Sequence, residues 1–166
     1  PKGTKNIRLL LKNYKLSDDL AFRFSNRNWQ EYPLTTQKYI SWLESSSYHG
    51  DVINLFMDYE TFGEHQWAES GIFDFFESLV SYWLKKPEHG FKTVTEAAQS
   101  EPAAGISMPN TVTWADTERD LTAWLGNSMQ QEAMKYLYAL KSRVYNSQNG
   151  NLVEDWRRLT TSDHPY

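Results

Sequence analysis

Two short apolar runs constrain the fold of this chain more than any other feature. Residues 7–11 (IRLLL) and 52–57 (VINLFM) lack the alternation of a half-exposed strand. Short apolar runs without alternation are typical of strands that are buried on both faces, as in parallel sheets. The segment between them predicts helices over 20–26 and 35–44, followed by a turn at 49–51. Strand, helix, helix, strand is a crossover unit, and such units are right-handed with parallel strands.

The second half of the chain is predicted to be helical. Apolar residues recur at helical spacing in five segments: 71–86, 95–99, 116–126, 129–145 and 152–159. Asp116 can cap the third of these segments, and Gly126 can end it. The residues alone therefore favour an α/β first half and an α second half.

Composition excludes several classes of protein. The net charge is −4 without a basic block, which argues against nucleic-acid binding. No apolar run approaches about 18 residues, which argues against a membrane span.

Aromatic residues reach 15%, and such a surplus fills a core or binds flat, amphipathic ligands. The chain starts at Pro1 without a signal-peptide pattern, so we expect a cytoplasmic piece of a longer protein.

The stretch DYETFGEH, residues 58–65, is the strongest candidate for a functional site. Asp58 directly follows the second predicted strand, at the edge where α/β proteins bind ligands. A run of six residues, five of them apolar, precedes it, so we expect it to be partly desolvated, as a general acid needs to be. Other candidate groups follow on the same loop: Glu60, Glu64, His65 and Trp67.

Two alternatives remain for this loop. Asp58 could simply cap the turn after its strand, with the other charges solvated. The acidic residues and His65 could also bind a metal, but their spacing matches no established ligand motif, so we expect neither a metal nor another cofactor.

The loop also carries a family resemblance. DYETFGEH, with GIF-x-F six residues later, resembles the fourth conserved region of glycoside hydrolase family 57. WADTERDLTAWLGN, residues 114–127, is similar to the fifth region of the α-amylase-like members. Residues 16–27 (LSDDLAFRFSNR) and the closing WRRL-x-TSDH resemble the same subgroup.

The resemblance implies a retaining hydrolase that acts on α-glucans or maltooligosaccharides. The fold class that it implies is α/β, a partial parallel β/α barrel of about two strands followed by an α-helical region. We assign 1–90 to the strands and helices of this incomplete barrel, and 91–166 to the helical region that packs on it. Two barrel strands would leave open edges. We predict that the helices from Gly71 onward cover them, with self-association through the edges as the alternative.

The resemblance also assigns roles to residues. Asp58 is implied as the general acid/base, with Glu60, Glu64, His65 and Trp67 around the substrate. From the fifth region, Trp114, Asp120 and Trp124 are implied as sugar contacts, since a flat indole face can cover the C–H groups of a sugar ring. Trp124 could instead be a core residue.

One catalytic group of the family has no counterpart here. Retaining glycosidases need two carboxylates about 5 Å apart, and the family's nucleophilic Glu lies before the fourth region. Residues 1–57 contain only Glu31 and Glu44, neither in a matching motif. We therefore predict Glu60 as the second carboxylate, with Glu64, Asp116 and Glu118 as alternatives. The alternatives for function are a non-catalytic α-glucan-binding fragment and a 4-α-glucanotransferase.

Overall fold

The computed structural model describes residues 7–46 and 50–166. The chain divides into two compact units, Pro1–Gly105 and Ile106–Tyr166, each of which is described by itself. The turn predicted at 49–51 begins outside the described residues. Within the described ranges, no helix is long and apolar enough to cross a membrane.

The first unit consists of helices joined by long extended segments. Helix α1 (Tyr14–Asp18) continues directly into a π-helical turn (Asp19–Arg23). The following helices are α2 (Thr36–Ser46), α3 (Ile72–Trp83) and α4 (Val94–Ala97). The helices predicted over 35–44 and 71–86 are therefore confirmed.

The second unit is built from α5 (Thr122–Leu125), α6 (Ser128–Ala139), α7 (Lys141–Asn146) and α8 (Gly150–Leu159). The single helix predicted over 129–145 is two helices, which separate at Leu140. Helix α8 agrees with the prediction over 152–159. Trp156 of α8 is buried, and its indole Nε1 donates to the Leu137 carbonyl at 2.8 Å, which ties α8 to α6.

The predicted strands are wrong, and with them the partial β/α barrel. No strand occurs in the described part of the chain; residues 7–11 and 52–57 are extended but form no ladder. Asn13 N donates to Asn54 O at 2.8 Å, but the neighbouring contact comes from the Asn54 side chain, whose Nδ2 donates to Leu11 O at 3.1 Å.

Burial explains why the pattern misled. An uninterrupted apolar run predicts a strand covered on both faces, but Phe56 is 70% exposed and Ile7 63%. Only one side of the second segment meets the core, through Ile53 and Met57. An extended segment without neighbouring strands cannot form the main-chain hydrogen bonds that stabilise a sheet.

The core of the first unit centres on Tyr39 in α2, which is fully buried. Its ring packs edge-on against Phe75 of α3 at 5.8 Å between centroids. Its hydroxyl donates to the Leu16 carbonyl of α1 at 2.9 Å. One side chain thus joins three helices. The buried apolar residues around it are Leu16, Leu20, Phe24, Leu34, Leu43, Ile72, Phe75 and Leu79.

Replacing Tyr39 with Phe tests this contact. Loss of this buried hydrogen bond should lower the free energy of unfolding at pH 7 by about 1 kcal/mol. Burial, followed by the negative charge of Asp19, raises the pKa of Tyr39 above its ordinary value.

The raised pKa gives a pH dependence with a definite sign. The unfolded state loses the phenol proton near pH 10, while the folded state keeps it, so the stability contributed by Tyr39 declines above about pH 10. Urea unfolding between pH 8 and 11 should show a shallower alkaline decline for Tyr39→Phe than for the parent. Tyr82→Phe, at an exposed position of α3, is the control. Parallel declines for the parent and Tyr39→Phe would contradict the prediction.

Candidate functional site

The candidate site is the carboxylate loop, residues 58–65, which follows the second extended segment. A 3-10 turn (Tyr59–Thr61) opens it after Asp58. The Glu60 carbonyl accepts hydrogen bonds from the amides of Glu64 and His65, at 3.1 and 2.9 Å. Gly63 has φ +112°, a conformation that side chains rarely adopt, and its amide donates to Gln66 O at 2.9 Å. The main chain of the loop is therefore closed on itself.

The ionisable side chains of the loop all face solvent. Asp58, Glu60, Glu64 and His65 are exposed, and none has a side-chain hydrogen bond or ion pair among the described residues. The desolvation expected at Asp58 is thus absent, because its side chain is exposed and no residue of the run 52–57 before it is fully buried. Trp67 is 67% exposed just beyond the loop and offers an indole face to solvent.

Both ends of the loop are attached to the helical segment 14–23 by buried polar side chains. The hydroxyl of Ser17 accepts a hydrogen bond from the Phe56 amide at 3.1 Å. The amide Nε2 of Gln66 donates to the Ala21 carbonyl at 2.9 Å. Sequence reasoning missed both residues as contributors to the site; the only available signal was that Ser17 lies in the motif 16–27 and that Gln66 directly follows the motif 58–65.

The second unit contains the other predicted contacts. Trp124 of α5 is only 8% exposed, between Trp114 at 5.2 Å and Tyr166 at 5.5 Å, measured between ring centroids. Trp114 is 70% exposed. The indole of Trp124 therefore lies in the interior of the cluster, while Trp114 presents its surface to solvent. Helix α5 ends at Gly126 as predicted. A Cβ at this position would clash with the Thr122 carbonyl, so a larger residue would not fit without a shift of the main chain.

Asp120 fixes the start of α5. Its Oδ1 accepts hydrogen bonds from the Thr122 hydroxyl and, at 2.8 Å, from the Thr122 amide. These bonds, the hydroxyl's first, hold the pKa of the Asp120 carboxyl below its ordinary value. Asp116 lies six residues before the helix with φ 51° and does not cap it. The cap predicted at Asp116 is therefore wrong.

The two groups of candidate residues belong to different units. Asp58, Glu60, Glu64, His65 and Trp67 lie in the first, and Trp114, Asp120 and Trp124 lie in the second. Among residues 7–46 and 50–166, no three His, Asp or Glu side chains are grouped so that they could hold a metal ion.

The first unit also has an open cavity of about 440 Å³, away from the carboxylate loop. Its lining includes aromatic rings, hydroxyls and one carboxylate, among them Phe24, Phe75, Tyr82, Thr35, Ser78 and Asp74. No residue of 58–65 lines it.

Comparison with known proteins gives two findings. Residues 1–110 match the sequence profile of glycosyl hydrolase family 57, a range that includes the whole carboxylate loop. A protein of Methanocaldococcus jannaschii named "Putative alpha-amylase" is 42% identical over 177 aligned positions, which cover all of this chain and 37% of that protein. The chain thus spans little more than a third of that relative's length. No solved structure matches the chain.

The burial of Trp124 predicts that it stabilises the second unit more than Trp114 does. Trp124→Ala should lower the free energy of unfolding by about 3–5 kcal/mol, because it leaves a cavity between packed rings. Trp114→Ala should cost less than about 1 kcal/mol, since most of its surface is already in water. Urea unfolding followed by circular dichroism at 222 nm gives both values. Equal losses would show that Trp124 is not an interior residue.

Proposed function

Because the chain belongs to glycosyl hydrolase family 57, we propose that it acts on α-1,4-glucans as a retaining hydrolase of the α-amylase type. The observation that carries the proposal is the position of the carboxylate loop within the matched residues 1–110. The name of the archaeal relative supports the choice of an α-glucan as the substrate.

In the proposed reaction Asp58 is the general acid/base and Glu60 is the nucleophile. The protonated Asp58 carboxyl gives its proton to the glycosidic oxygen as the carboxylate of Glu60 attacks the anomeric carbon. The C–O bond to the leaving sugar breaks, and a glycosyl ester forms on Glu60. Asp58, now a carboxylate, takes a proton from water, whose oxygen attacks the same carbon and releases Glu60. Two inversions give net retention of the α configuration.

Neighbouring residues are proposed to bind the sugar. Glu64 and His65 can exchange hydrogen bonds with hydroxyl groups, and Trp67 can stack on a ring face. In the second unit, Trp114 is the better candidate for stacking because it is exposed, while Trp124 supports it from below. Asp120 is proposed to accept a hydrogen bond from a sugar hydroxyl with its remaining lone pairs.

A second candidate function is α-glucan binding without hydrolysis. The exposed indoles of Trp67 and Trp114 favour it, because such faces bind sugar rings whether or not a bond is cut. The two functions differ in what Asp58 and Glu60 do, and this difference can be measured.

Release of reducing ends from soluble starch separates the two functions. The parent chain should release them, and both Asp58→Asn and Glu60→Gln should be slower by a factor of about 10² or more. Glu69→Gln, an exposed carboxylate just outside the loop, is the control and should keep the parent rate. A parent chain that releases no sugar would contradict hydrolysis, and a Glu60→Gln variant at full rate would exclude Glu60 as the nucleophile.

Sugar binding can be tested without turnover. Calorimetric titration with maltoheptaose should show that Trp114→Ala weakens the affinity by about 3- to 10-fold, the value of one aromatic contact. The β-linked cellohexaose should bind more weakly to the parent than maltoheptaose does. Equal affinity of the parent and Trp114→Ala for maltoheptaose would remove Trp114 from the binding surface.

A further inference from the structure

We propose that Ser17 and Gln66 are positioning residues, which fix the two ends of the carboxylate loop to the helical segment 14–23 and so hold Asp58 in place for proton transfer. This inference rests on the proposed function of Asp58. Its structural part, the attachment of the loop, can be measured independently of activity.

The first observation is the burial of the two side chains. Ser17 is 0% exposed and Gln66 is 3% exposed, although both are polar. Burial of a polar group is unfavourable unless a hydrogen bond within the protein replaces its hydrogen bonds to water. Each side chain makes a hydrogen bond with the main chain of another segment: Ser17 with Phe56, and Gln66 with Ala21.

The second observation is where these bonds fall along the chain. Phe56 lies two residues before Asp58, and Gln66 directly follows His65, so the bonds bracket the carboxylate loop. The Ser17 hydroxyl also donates to the Asn13 carbonyl at 2.8 Å, which orients its oxygen toward the Phe56 amide. Between the brackets, the loop is closed by its own main-chain bonds.

The third observation is that the segment 14–23 is itself held in the core. The Leu16 carbonyl accepts from Tyr39, and Leu20 is 1% exposed. Arg23 Nε pairs with the buried Asp19 at 2.6 Å. The loop is therefore attached to a segment that contributes Leu16 and Leu20 to the core of the first unit.

The two attachments matter because the side chains of the acids are exposed. Asp58 and Glu60 have no side-chain partner among the described residues, so only their main chain determines where they point. A displacement of about 1 Å at a reacting group can cost a factor of about 10² in rate. The two hydrogen bonds that set the loop's position would then also set the position of the acid.

The test uses Gln66→Met, which keeps the length of the side chain but loses the N–H donor, and Ser17→Ala, which loses the acceptor. Ser46→Ala is the matched control, since its hydroxyl bonds only to the Trp42 carbonyl within α2. Hydrogen exchange should become about tenfold faster at the amides of Thr61 to Gln66 in Gln66→Met, and at Phe56 in Ser17→Ala, with no change in Ser46→Ala.

Activity is then compared on two substrates. A maltooligosaccharide needs a proton on its leaving oxygen, whereas 4-nitrophenyl α-maltotrioside has a leaving group acidic enough to depart without one. Partial unfolding lowers kcat/KM for both equally. Misplacement of the acid should lower kcat/KM for the maltooligosaccharide at least tenfold more than for the nitrophenyl sugar.

The outcomes separate the two claims. Faster loop exchange with a selective loss on the maltooligosaccharide supports the positioning role. Unchanged exchange at the loop, or an equal loss on both substrates, overturns it while the proposed function stands if Asp58→Asn is impaired. A parent chain without turnover, or an Asp58→Asn variant as active as the parent, overturns the proposed function, and the positioning role falls with it.

Discussion

The contact between the Tyr39 hydroxyl and the Leu16 carbonyl is the interaction on which the first unit depends. The phenol of Tyr39 is completely buried, and its hydroxyl donates to a main-chain carbonyl in α1. The same ring packs against α3, so helices that are far apart in sequence meet at one side chain. Ser17, immediately after Leu16, reaches Phe56, and Gln66 reaches Ala21 in the same segment. The position of the carboxylate loop thus follows from the packing of Tyr39.

The residues that hold the loop in place are not the residues that are proposed to react. The groups that hold the loop are buried and neutral, and each makes a hydrogen bond to the main chain of another segment, while the groups proposed to react are exposed and without partners on the described chain. An exposed carboxylate keeps its hydration until a substrate covers it. The loop therefore needs a fixed main chain more than it needs a buried acid.

Sequence reasoning succeeded where the structure depends on residues that are close together in the chain. The apolar spacing of Tyr39 and Leu43, or of Ile72, Phe75 and Leu79, predicts helices because each forms one face. The loop motif was also sufficient to identify the family, which the match over 1–110 confirms. It could not reveal Ser17 and Gln66, since their role depends on contacts across 39 and 45 residues.

The strands were predicted wrongly because their determinant is not local. An apolar run such as 52–57 forms a strand only if other main chain pairs with it and other side chains cover it. In the described residues, Ile53 and Met57 meet the core while Phe56 remains in water. Asp58 was expected to be desolvated on the same assumption of a covered strand, so the two errors have one cause.

Azide rescue of an Asp58→Ala variant tests the central claim most directly. With a nitrophenyl α-maltoside as the substrate, the variant should still form the glycosyl ester, since the leaving group needs no acid. Azide can enter the space left by the carboxylate and attack from the same face as water would. The account predicts faster turnover with azide and an α-maltosyl azide product. A β-azide would instead identify Asp58 as the nucleophile, and full activity without azide would show that Asp58 takes no part in the reaction.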